Sequence, residues 1–560
     1  MGTTRRTRFH LLLLFITGGL MAINVYLVQV WDILGVPFYF MLAVGVQIVL
    51  LLFFLRELLR VLRTPLKICF SIFTSGLRGA LENSYVTHFK ERHPDLFRTI
   101  AMRFSLKYPT GLYLTLGIVA AGTFLWLFLA IIEDVVFNET FVAIDERILN
   151  LIPSIRTTFQ TNFFRFITFW ANWQSIVFMA IVISLLLMRK KRFVTTRIFL
   201  LLIGVTQLCS TSLKHLIGRV RPEQYLSLVV EPSASFPSGH TLTATVIFGF
   251  IAYLIIKGLR SHLNRVFVFL TYVFMVFLVG VSRVYLGAHY PSDVVGSVVF
   301  GAFILSIFIT LFEINQRYGI FKRRHVIHPN HDLLIAPVLG IIFAFFANSY
   351  FIPLRTVQAE TKPYEIQTVN EKTVQFIPHY SETLTGARMA PISFLFVGEQ
   401  GQLEDVFIKN GWYKADEFNI ASGIQAVTIG IQNKQYLNGP VTPSYLNAKP
   451  HDIAFEQPSE TNNFRQRHHI RWWKTNYILP GNKPLWVATA SFDDNVKFVP
   501  GLMIPTHSID PNIDGERDYT AHSIGITDPT YIQVVPAQIG KNGAGDQFFT
   551  DGKAILLMPK

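Results

Sequence analysis

Long apolar runs broken by short charged clusters fill the chain up to about residue 352, and short alternating runs replace them after that. The runs near 9–29, 35–55, 110–132, 169–188, 197–217, 240–257, 264–282, 293–313 and 332–352 are each long enough for an apolar helix to cross a bilayer. Nine membrane spans are therefore predicted. In the later part, Pro391–Val397 and Pro484–Ala490 read as buried strands, Gln402–Asn410 as a short helix stopping at Gly411–Trp412, and Tyr531–Leu557 as a closing hairpin. The expected fold class is an all-α polytopic membrane domain, a six-helix core with extra N- and C-terminal transmembrane helices, followed by an α+β soluble domain.

This pattern divides the chain into 1–107, with two spans and a basic amphipathic segment, 108–330, the six-helix core, 331–352, the ninth span, and 353–560, the soluble domain. The chain has 560 residues, of which 51% are hydrophobic, too many for a soluble protein of this length. Both cysteines, Cys69 and Cys209, belong to the membrane part, so the polar region folds without disulfides.

The net charge of +14 is concentrated in particular loops: Arg189-Lys190-Lys191-Arg192, Lys257 with Arg260, and Lys322-Arg323-Arg324. Such loops mark the cytoplasmic side, so the excess charge is read as topology and no nucleic acid is expected as a partner. The first run follows Arg5, Arg6 and Arg8 without a small-x-small cleavage site, which predicts an uncleaved signal-anchor with a cytoplasmic N-terminus. Between 56 and 107, patches such as Leu96–Phe104 suggest amphipathic helices on the inner leaflet, the plainer alternative being a solvated connector. The connection near 133–168 is acidic and suits the outer side, and parity then puts the loop from Gly218 to Pro237 and the span end at Arg283 there too. Lys214, Arg219, Arg221 and Arg283 are thus cations on the face that normally avoids them.

Those cations belong to three clusters: Lys214 to Arg221-Pro222, Pro237-Ser238-Gly239-His240, and Ser282-Arg283 through His289 to Asp293. Ionisable groups at membrane helix ends are costly and mark function, and an anion is the usual ligand of such a set. A phosphoryl group in transfer needs positioned cations and two opposed proton-handling groups. Arg221 and Arg283 offer planar forks, Lys214 a point charge, and Ser238 and Gly239 a helix-start nest. His289, four residues before Asp293, is assigned as a nucleophile held by that carboxylate, and His240 as the acid for the leaving oxygen. Taken singly, Lys214 also reads as a snorkelling lysine, His240 as a helix-start polar residue and Asp293 as a helix cap. Glu223 and Glu231 read as solvated loop charges, and Phe236, Tyr285 and Tyr290 as interfacial-belt aromatics.

The order and spacing Lys-x6-Arg-Pro, Pro-Ser-Gly-His and Ser-Arg-x5-His-x3-Asp resemble the type 2 phosphatidic acid phosphatase family, which shares its site with vanadium-dependent haloperoxidases. The resemblance implies phosphate binding by Lys214, Arg221, Ser238, Gly239 and Arg283, and catalysis by His240, His289 and Asp293. It also implies a core that works without metal or other cofactor. Gly411-Trp412, Arg467–Trp472 and His507–Arg517 resemble an LssY-type C-terminal domain. In that domain, His507, Asp510, Asp514 and Glu516 read as an ion-pair network before a metal or sugar site, and adjacent His468 and His469 point to opposite faces of a strand. Of Trp472 and Trp473, one is expected in the core.

The function expected is hydrolysis of a lipid phosphomonoester or diphosphate, such as phosphatidate or undecaprenyl diphosphate, at the outer face of a bacterial plasma membrane. It would proceed through a phosphohistidine. The alternatives are phosphotransfer to another lipid from the same site, or a membrane-anchored binding or secretion-associated module. The ligand of the C-terminal domain is open.

Overall fold

The computed structural model describes residues 82–137, 140–223, 226–319, 363–417, 434–463, 466–498 and 505–558, with isolated positions elsewhere. The predicted spans at 9–29, 35–55 and 332–352 lie outside these continuous segments. Two compact units emerge: one of 1–133, 157–221 and 229–354, the other of 134–156, 222–228 and 355–560.

In the first unit, α1 (Ser84–Arg92) and α2 (Pro94–Arg103) are short and carry no buried residue. The apolar helix α3 (Leu112–Phe137) follows; α4 (Thr140–Leu151) comes next in sequence and belongs to the second unit. Then come α5 (Thr158–Phe169), α6 (Trp173–Arg189), α7 (Phe193–Ile217), α8 (Gly239–Gly258), α9 (His262–Tyr285) and α10 (Pro291–Tyr318). Among the described residues five helices are long and apolar enough to cross a membrane, and α5 with α6, bent by 45°, makes up to six. The first unit is a multi-pass membrane domain.

The connection read at 133–168 is largely helical. Its α5 begins where the Thr157 hydroxyl accepts the Gln160 amide, and α6 restarts where Asn172 caps Trp173. The polar residues among the phenylalanines of Thr158–Phe169 kept this half of the bent span out of the hydropathy pattern.

Small residues bring these helices close. A methyl group on Gly296 of α10 would lie 2.6 Å from the Phe236 ring, and one on Gly301 would lie 2.7 Å from Thr245 of α8. Phe128 of α3 stacks against Phe236 and Phe300, filling the space between. Within α8 the turn Ala244–Phe248 widens to π geometry.

The second unit is built on a nine-stranded sheet. Its strands are β1 (Tyr364–Glu365), β2 (Phe394–Val397), β3 (Tyr413–Lys414), β4 (Ile453–Asn463), β5 (Gln466–Leu479), β6 (Lys483–Phe498), β7 (Pro505–Ile509), β8 (Thr530–Gln533) and β9 (Lys553–Leu557). The order is β8-β9-β2-β6-β5-β4-β3, with β1 on β5 and β7 on β6. The C-terminal run pairs β8 with β9 as expected, but β9 also adds in parallel to β2, and a two-stranded hairpin lies between them in sequence.

Alternation along these strands serves two cores. Phe394, Phe396, Trp472 and Trp486 pack on one face with α11 (Gln400–Ile408) and α12 (Ile513–Ser523), through Leu403, Phe407 and Ala521. Leu395, Val397, Trp473, Leu485 and Val487 form the other. Both tryptophans are therefore core, one per face, where only one was expected. A smaller four-stranded sheet, including Tyr380–Glu382, Arg388–Pro391 and Tyr445–Leu446, completes the unit.

Candidate active site

Four helix ends carry the three clusters. α7 runs to Gly218, whose left-handed backbone (φ 62°) stops the helix one turn beyond Lys214. Ser238 starts α8, Arg283 lies in the last turn of α9, and Tyr290-Pro291 starts α10, with Asp293 in its first turn.

Lys214 Nζ donates to the Ala234 carbonyl at 2.6 Å and the Ser233 hydroxyl at 3.1 Å. Arg221 donates from Nε to the Ser233 carbonyl (2.6 Å) and from Nη1 to the Ala288 carbonyl (2.6 Å), and Nη1 lies 3.3 Å from His289 Nε2. Arg283, 1% exposed, reaches the Thr168 hydroxyl at 2.9 Å and Glu231 at 2.6 Å. The strongest charges acting on His240 are Arg283, Glu231, His289 and Lys214, so both imidazoles share one set of neighbours. A methyl on Gly239 would come within 4.0 Å of Lys214 Cε, which puts the start of α8 against that ammonium group.

His289 is fully enclosed. Because Arg221 can only donate, Nε2 must accept, which puts the ring proton on Nδ1, facing Asp293 Oδ2 at 3.4 Å. Burial, reinforced by the charges of Arg221, Arg283 and Lys214, holds this imidazole well below its ordinary value, so it is neutral near pH 7.

Asp293 serves more than one partner. It accepts from Arg219 at 2.5 Å, from the Ser235 hydroxyl, and from the Tyr290 amide at 3.0 Å, so it caps α10 while facing His289. Arg219 also bonds the Ser292 hydroxyl at 2.7 Å and lies 4.2 Å over the Tyr290 ring. Ser238 is buried with its hydroxyl on Thr241 (3.0 Å), so the Gly239 and His240 amides of the first helical turn are the nest donors left without intrahelical acceptors.

All eight candidate residues thus come together at one end of the bundle. Glu231 joins them and corrects its reading as a solvated charge. It pairs with Arg283 at 2.6 Å and lies 3.8 Å from Arg221. Burial alone would raise its pKa, but Arg283, His240 and Arg221 outweigh that and bring it to about 2. Phe236 and Tyr285 are likewise inside, not on a belt: Phe236 is fully buried and Tyr285 bonds Thr161 at 3.0 Å. Arg219, Thr168 and Ser235 were not singled out for the site; only Arg219 had a signal, as an unexplained cation between Lys214 and Arg221.

Positioned cations and paired imidazoles thus gather at the helix ends of the multi-pass membrane domain. Residues 195–317 match the PAP2 superfamily model and residues 374–554 match the LssY C-terminus model. It is 35% identical over 130 residues to phosphatidylglycerophosphatase B of Bacillus subtilis, covering 23% of this chain and 61% of that protein. It is 34% identical over 104 residues to lipid A 1-phosphatase of Rhizobium johnstonii, covering 17% of this chain and 38% of the relative. A solved transmembrane PAP2 type phosphatidylglycerolphosphate phosphatase from Bacillus subtilis aligns at 27% identity and TM-score 0.34, over 36% of this chain and 98% of its own.

Proposed function

We propose that this protein is a lipid phosphatase whose His289 Nε2 attacks phosphorus and forms a phosphohistidine that water then hydrolyses. The observation that carries this reading is the enclosed imidazole of His289 in the field of Arg221, Arg283 and Lys214: Nδ1 faces Asp293 at 3.4 Å, and Nε2 faces the Arg221 guanidinium at 3.3 Å, a long contact that a bound phosphate would replace, freeing the lone pair for attack. Those cations, with the amides of Gly239 and His240, stabilise the charge that spreads over the equatorial oxygens. His240, as the imidazolium paired with the bound phosphate dianion, protonates the departing lipid oxygen and, now neutral, regains its proton from the attacking water.

The names of the matched relatives support phosphatidylglycerophosphate and lipid A 1-phosphate as substrates to test, and phosphatidate and undecaprenyl diphosphate, expected from the sequence motifs, complete the panel. An apolar cavity of about 270 Å³ lined by Trp170, Met179, Phe248, Tyr272 and Met275 suits a hydrocarbon tail. Phe248 lies eight residues along α8 from His240, roughly 12 Å at 1.5 Å per residue. The distribution of basic loops supports a site facing away from the cytoplasm of a bacterial plasma membrane.

The test is phosphate release from that panel by the detergent-solubilised chain. His289→Ala is expected to abolish release, by at least about a thousandfold for loss of a nucleophile. Unchanged release would sink the mechanism, and labelled phosphate appearing on an acceptor lipid would make the enzyme a transferase.

A further inference from the structure

The inner face of the large sheet in the second unit is apolar at Trp473, Leu485 and Val487, yet its continuation along the same strands is polar. Two-residue alternation on β5 places His469 and Arg471 on that face, and on β6 it places Thr489, Ser491 and Asp493 beside them, with His469 directly opposite Ser491. All five line a cavity of about 150 Å³, closed from the other side by segments that include Ser381 and Ser444. Polar side chains in place of core on an inner sheet face call for a partner.

Their hydrogen bonds show which of them is committed. Arg467 pairs with Glu456 and with Asp493, the latter at 3.3 Å, and Glu382 on the opposite wall pairs with Arg147. His469 Nδ1 faces Asp493 at 3.2 Å, and its Nε2 accepts from Arg471 Nη1 at 2.6 Å, so the imidazole acts as a strut between carboxylate and guanidinium. Besides that bond Arg471 donates only to the Thr442 carbonyl, at 3.2 Å, and it makes no ion pair among the described residues. Thr489, a buried residue on the cavity wall, has a hydroxyl with no protein partner among the described residues.

The charges sum in one direction. Burial, reinforced by Arg471, pushes His469 down to about 4, so it is neutral. Burial lifts Glu456 to about 8 against the pull of Arg467. Burial lowers Arg471 only to about 10. Of the carboxylates on the cavity wall, Asp493 pairs with Arg467 and Glu382 with Arg147, which leaves Arg471 as the cation of the lining without an ion pair among the described residues.

We propose that this cavity is a receptor for a phosphate-bearing group, gripped by Arg471 and by the hydroxyls of Thr489 and Ser491, with His469 and Asp493 fixing the guanidinium. The reading does not depend on the membrane site. Ser491, His469 and Asp493 also lie in the order of a nucleophile relay, with Ser491 Oγ 3.3 Å from His469 Nε2. The shorter approach of Arg471 to that same nitrogen occupies the lone pair a nucleophilic serine would need.

Equilibrium dialysis of the full-length chain in detergent with labelled inorganic phosphate tests the proposal. Arg471→Gln should remove one equivalent of bound phosphate per chain, and Arg471→Lys should restore it at weaker affinity. An Arg283→Gln background isolates the cavity, so loss of the membrane site and loss of this one are read separately. In that background, displacement by glycerol 3-phosphate identifies a soluble ligand, and displacement only by phosphatidate in mixed micelles identifies a lipid head group; either supports the proposal. If Arg471→Gln disturbs the buried tryptophan fluorescence, Thr489→Val takes its place. Unchanged stoichiometry in the folded variants overturns the proposal, as does short-chain ester hydrolysis that Ser491→Ala abolishes and Arg471→Gln leaves intact.

Discussion

Glu231 stands where the Arg283 fork ends and within 4 Å of Arg221, so its carboxylate competes with any phosphate those guanidinium groups would bind. Neutralising it should therefore tighten inhibition by inorganic phosphate. For Glu231→Gln we expect a severalfold lower inhibition constant, corresponding to about 1 kcal/mol for a partly exposed pair. An unchanged or higher constant, from initial rates at graded phosphate, would mean that Glu231 orients the guanidinium groups without competing. The sequence could not supply this residue, because a single glutamate in a polar loop carries the same local pattern whether solvated or paired. The cations and histidines were legible for the opposite reason: chemistry demands those residue types together, and three clusters held them in order. Arg219 falls between, visible as a charge on the wrong face but without a partner until folding brings it to Asp293.

For the elements, the site depends on how closely α10 approaches the segment ahead of α8. Gly296 leaves room for the ring of Phe236, which immediately precedes Pro237-Ser238-Gly239-His240. Gly296→Ala would force that fully buried ring to shift, at roughly 1–3 kcal/mol for overpacking. The expected outcome is a lower melting temperature with a reduced kcat, although residue 296 touches no candidate catalytic group. Gly204→Ala, where an added methyl meets nothing within 4 Å, is the control and should leave both unchanged. Among the described residues, hydropathy located the five long apolar helices and the second half of the bent pair, because bilayer thickness fixes the length of a span. It missed the bend at Trp170–Asn172, because capping and glycine contacts carry no periodic signal. In the C-terminal domain, alternation correctly put His468 and His469 on opposite faces, with His468 bonded to Glu516 at 2.9 Å. The cavity itself was hidden, since it depends on the long-range register of β5 against β6.

At the scale of the molecule, stability should fall on the acid side, and His451 is one reason. Its Nδ1 is buried without a hydrogen bond among the described residues, and burial, reinforced by Arg471 and His469, brings its pKa down to about 3. Between pH 6.5 and about 3 the unfolded chain binds a proton at this position that the folded chain refuses, so stability declines as pH falls. Relative to wild type, His451→Gln should gain stability on acidification by up to roughly 1.4 kcal/mol per pH unit across that window. Denaturation followed by tryptophan fluorescence from pH 7 to 4 checks this, and parallel curves for the two proteins would refute it.

The way the second unit is assembled has a practical consequence. Residues 134–156 and 222–228 belong to it together with 355–560, and Arg147 and Asn150 of α4 hold Glu382 and the Ala448 carbonyl at 2.5 and 2.9 Å. A cut near residue 354 therefore yields neither half intact: the shortened protein keeps an orphaned helix, and the released fragment lacks two of its segments. Transplanting this appendage onto another protein would take three splices instead of one, so its loss or exchange by a single recombination event should be selected against.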